Sequence, residues 1–80
     1  MAKRQTAAEA YQANRQDIAA MIGWLQDELD HHAERAAAEP RNYSFPGDLG
    51  EVRKRIIETL AFLSGHTVVN IEVTLAEAAE

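Results

Sequence analysis

The chain contains no cysteine, so neither a disulfide framework nor a thiolate metal site can form. No apolar run approaches membrane-spanning length. The opening Met-Ala-Lys-Arg-Gln-Thr lacks the apolar core of a signal peptide. These absences point to a soluble, cytoplasmic chain without a membrane partner. A dominant basic patch is also missing, and net charge is −5. Such a chain is a poor binder of phosphate backbones, so nucleic acid is not the expected partner. No Gly-rich phosphate loop is present: Gly47 and Gly50 bracket a helix start, with no preceding strand and no suitably placed lysine. Ser44 and Ser64 lack a His and Asp constellation, and no catalytic residue is assigned. No cofactor is expected either.

Helix formers are what the chain has in quantity. Of its 80 residues, 22 are large apolar residues and 15 are alanine. Alanine favours helix and lets helices approach closely, but fills little volume. One small domain of this size buries a modest fraction of its surface, and oligomerisation is a common remedy. Charge is spread unevenly: residues 1–16 carry +2, 17–39 carry −5, 40–66 carry +1 and 67–80 carry −3.

The organising stretch is Asp17 to Ala38. Ile18, Ile22, Leu25, Leu29, Ala33 and Ala36 recur at steps of four, three, four, four and three. That is the period of a helix with one apolar face. Tyr11, seven residues before Ile18, continues the stripe, and Thr6 with Glu9 makes a capping box. The spacing therefore predicts a first helix over residues 6–38. Gly23 lies inside it and would let another helix pass close by. Met21 and Trp24, set about 60–100° off the Ile22–Leu29 line, widen the apolar face beyond what one short partner helix covers.

Residues 39–47 read as a loop of about ten residues, opened by Pro40 and turned at Pro46-Gly47. Its aromatics, Tyr43 and Phe45, either anchor the loop or await a ligand. A second helix is predicted over residues 48–64, with Asp48 as cap and Glu51 reaching back. Leu49, Val52, Ile56, Leu60 and Leu63 form its stripe, widened by Ile57, Ala61 and Phe62, and Gly65 terminates it. Residues 67–79 carry both an alternating pattern and a helical one. The reading taken is a third helix capped by Thr67; the alternative is a strand paired across a dimer, since no other segment alternates. The fold class is all-α, one helical domain, with the first two helices antiparallel. Arg53 and Arg55 would then come level with Asp30 and Glu34.

Three chemical readings compete with a plain interaction module. Glu28-x-x-His31 has the spacing of carboxylate-bridged dimetal bundles. Partner glutamates on the second helix are missing from its apolar face, so no metal ligand is assigned. The Ala61 to Gly65 segment, with Leu60 and Ile71, resembles the DNA-binding helix-turn-helix. That resemblance implies a recognition helix after Thr67, yet this helix contains Glu72 and Glu77 and neither lysine nor arginine. A long helix, two shorter ones and an intertwined dimer are similar in shape to the all-helical chorismate mutases. That likeness implies interior arginines holding a dicarboxylate, with Arg15, Arg35, Arg53 and Arg55 as the candidates. The expectation carried forward is a homodimeric interaction module without catalysis. Met21, Trp24, Tyr43 and Phe45 are its candidate partner-binding residues.

Overall fold

A computed structural model describes residues 4–79, and Lys3 of the basic end lies outside them. Three helices follow in order: α1 (Ala7–Ala38), α2 (Ser44–Ser64) and α3 (Val68–Ala78). The described residues contain no strand, so the tail is helical rather than a strand awaiting a second copy. Two units divide the chain, Met1–Pro40 and Arg41–Glu80.

The first unit is α1, 32 residues long. Its start is the capping box predicted from Thr6 and Glu9. The Glu9 N–H donates to Thr6 Oγ1 at 3.1 Å, and the Thr6 N–H donates to Glu9 Oε1 at 3.0 Å. Two donors that the first turn leaves without partners are thereby satisfied. These bonds from Thr6 hold the Glu9 carboxyl below its ordinary range. At the other end, the Glu39 N–H bonds back to the Ala36 carbonyl at 3.1 Å, and Pro40 prevents a further turn.

The second unit is the α2–α3 pair. Here the predicted boundaries need correction. The helix opens at Ser44, not Asp48, so the connection shrinks to residues 39–43. Pro46 is compatible with this because the first turn's N–H groups have no intrahelical acceptor to lose. No side-chain hydrogen bond caps the helix at Tyr43; Asn42 closes a turn just before it, its Oδ1 accepting the Ser44 N–H at 3.0 Å. Glu51 engages Arg55 at 3.1 Å, one turn further along. Gly65 ends α2 at φ 79°, the left-handed conformation that glycine adopts without penalty.

Thr67 caps α3 by accepting the Asn70 N–H at 3.1 Å. Thr74 bonds back to the Asn70 carbonyl at 2.9 Å, which satisfies a hydroxyl inside a segment rich in β-branched residues. Among the described residues, the buried ones are Ile57 of α2 and Ile71 of α3. The α2 stripe read from periodicity was Leu49, Val52, Ile56, Leu60 and Leu63. Ile57, placed on its flank, is the one that α2 buries. At 100° per residue, the Ile56 line stands about 100° around the helix from Ile57.

Glycine substitutions separate the two kinds of site. A Cβ at Gly23 would meet nothing within 4 Å. Gly23→Ala should therefore stabilise α1 by roughly 0.5–1 kcal/mol, through helix propensity alone. Gly65→Ala should destabilise the α2–α3 turn by about 1–2 kcal/mol, because alanine is strained at that φ. Opposite shifts of the thermal midpoint in the two variants check both statements.

Candidate interaction surface

No residue of α1 is buried. Along its main stripe Ile18 is 53% exposed and Ile22 54%, with Leu29 at 39% and Leu25 half-buried. Met21 is 55% exposed and stands about 90° from the Ile22–Leu29 line at 100° per residue. Trp24 does not flank that line as expected. It stands about 150° away and belongs to a different face, where its indole Nε1 donates to Glu28 Oε1 at 3.3 Å. Trp24 is 67% exposed, so α1 presents apolar surface in two directions.

Tyr43 and Phe45 belong to the second unit and part company there. Tyr43, in the connection, is fully open to solvent, whereas Phe45 is drawn into the first turn of α2 and is half-buried. A docking role fits Tyr43, and an anchoring role fits Phe45.

One surface was not singled out from periodicity. Phe62, Leu63 and Val69 stand in the open around the α2–α3 turn, at 89%, 80% and 69% exposure. The signal was present: from Thr59 to Ile71 no Asp, Glu, Lys or Arg occurs. Counting charge along the chain finds this stretch where apolar spacing does not. Beside it lies an open groove of about 510 Å³, lined by Leu60, Ser64, His66, Asn70, Ile71 and Thr74 among others. Its walls are mostly apolar and include no Asp, Glu, Lys or Arg, so it suits an apolar side chain better than an ionic substrate.

Two arginines of α2 have partners within the second unit. Arg53 donates to Glu72 of α3 at 2.6 Å, and Arg55 donates to Glu51 in its own helix at 3.1 Å. The Arg53 bond holds the Glu72 carboxyl below its ordinary range, and the carboxylate raises Arg53 in turn. Glu72's lowered pKa makes the pair a stabilising contact above the unfolded value of 4.5, lost as pH falls through the lower folded value. A titration from pH 7 downward should show the α2–α3 pair unchanged to about pH 5 and loosening below it. In Glu72→Gln the part of that acid dependence due to the pair should disappear. Both partners are solvent-exposed, so the effect is small and fades in high salt.

Among the described residues, no group of three His, Asp or Glu side chains is placed to hold a metal ion. Glu28 of the Glu28-x-x-His31 pattern takes the Trp24 indole. The four arginines weighed for a dicarboxylate site are divided between the two units, Arg15 and Arg35 in the first and Arg53 and Arg55 in the second. No single helix among the described residues is long and apolar enough to cross a membrane. The bent pair α2 and α3 meets that test of length and composition only together, across a 111° bend. No protein-family model, no curated protein and no solved structure matches the chain.

Proposed function

We propose that this chain is a small helical interaction and assembly module, non-catalytic and cytoplasmic, whose copies pair to share one core. The observation that carries this reading is the apolar exposure of α1. A 32-residue helix leaves Ile18, Met21, Ile22 and Trp24 each more than half exposed and buries nothing. Large apolar side chains left in water on this scale mark association surfaces. Size points the same way. Each unit is 40 residues, about the length below which chains need disulfides, metals or oligomerisation to stay folded. Cysteine is absent, which removes the first remedy.

In the shared core the Ile22 stripe of α1, with Met21 at its rim, meets the second copy, and Trp24 faces away from that contact. Tyr43 and the Phe62–Leu63 surface then remain for a protein partner outside the assembly. Light scattering at micromolar concentration tests the reading. Twice the 8.9 kDa chain mass is the expected result. A single-chain mass over the whole micromolar range would remove it.

A further inference from the structure

We propose that α1 of one copy packs antiparallel against α1 of a second copy, with Ile22 level with Leu25 of the partner. This rests on the shared-core reading above and names the surface and orientation that build the core. The α1 stripe fits a heptad, with Arg15, Ile22, Leu29 and Ala36 in one seam position and Tyr11, Ile18, Leu25 and His32 in the other. An antiparallel pair sets one series against the other. The layers become Ile22 with Leu25, Ile18 with Leu29, Arg15 with His32, and Tyr11 with Ala36. Each occurs twice about a two-fold axis between residues 23 and 24.

The consequences favour this orientation. Four central layers are aliphatic on both sides, and in them Ile18 and Ile22 are more than half exposed on α1, Leu29 39% exposed and Leu25 half-buried. Tyr11, 66% exposed, meets the small Ala36, so a large ring finds space. Ala19 and Ala33 flank the seam and allow close approach. Arg15 comes opposite a histidine, with Glu28 of the partner one helical turn away. A parallel pair would instead set Arg15 against Arg15 and His32 against His32. Like charges in one seam layer oppose that arrangement. Gly23 faces outward from the seam, which agrees with the open space around it.

The absence of native cysteine makes single-cysteine cross-linking unambiguous. Arg15→Cys and His32→Cys chains are mixed, allowed to exchange, and treated with a short bismaleimide. The antiparallel seam predicts cross-linked dimer in the mixture at least tenfold above either variant alone. Gln12→Cys with Ala33→Cys, at the seam's edge, repeats the test without touching a seam layer. Self-linking of Arg15→Cys would overturn the orientation and leave the shared core standing. A dimeric mass with no link from either pair would overturn the α1 seam, placing the contact on another surface. A single-chain mass, with α1 covered by its own α2–α3 unit, would overturn both this proposal and the reading on which it rests.

Discussion

Ile22→Asp is expected to turn a dimer into separate chains. The substitution puts a carboxylate at the centre of the aliphatic seam, opposite Leu25 in both symmetry-related layers. Burying an unpaired charge there is far costlier than leaving it in water. The ion has no partner in the layer, so association is lost rather than the ion tolerated. Two isoleucines also leave the interface, each worth about 1.5–3 kcal/mol when fully buried. A dissociation constant raised by at least a hundredfold follows, read by sedimentation across a concentration series. Ile22 is half exposed in α1 itself, so the isolated helix loses little by the change. Gln16→Asp, about 120° around α1 from Ile22 and about 80° from Trp24, is the matched control and should leave the seam intact. Equal dimerisation in wild type and Ile22→Asp would exclude this stripe as the contact.

Ile57→Ala should open the second unit. Among the described residues, the buried side chains are Ile57 of α2 and Ile71 of α3, the two helices that touch each other. Truncating a buried isoleucine to alanine costs about 2–5 kcal/mol. The lower part of that range applies, because a short two-helix pair can partly close the space. Even about 2 kcal/mol is a large fraction of what a unit of this size can hold in reserve. Hydrogen exchange of the Ile71 and Val73 amides should accelerate by at least tenfold in the variant. Ile56→Ala, at a neighbouring position 44% exposed, should change it much less. If the two variants behave alike, the assignment of Ile57 as the residue joining α2 to α3 is wrong.

Helix ends written in side-chain chemistry were legible from residues alone. Thr6 with Glu9, Gly65 and Thr67 each occupy the terminal role that their chemistry predicts. The helical reading of residues 67–79 also holds, despite the alternating valines, because the Thr67 cap and the alanine-rich end outweigh β-branched preference. Pro46-Gly47 misled: proline near a helix start and proline in a turn look the same until the Asn42 turn just before the helix is located. The Ile57 line was missed for a different reason. Periodicity reports which side of α2 is apolar, but only the position of α3 decides which part of that side is covered. Trp24 was misplaced by adjacency, since neighbouring numbers on a helix stand 100° apart. Of the four candidate contact residues, Met21, Trp24 and Tyr43 are exposed. Phe45 is the one drawn inward.

The most direct test of the whole account is an isotope-filtered nuclear Overhauser experiment on a mixture of labelled and unlabelled chains. The account predicts intermolecular contacts between the methyl groups of Ile22 and Leu25, and between those of Ile18 and Leu29. If every contact to these four side chains arises within one chain, a second copy does not complete α1, and the central claim is contradicted.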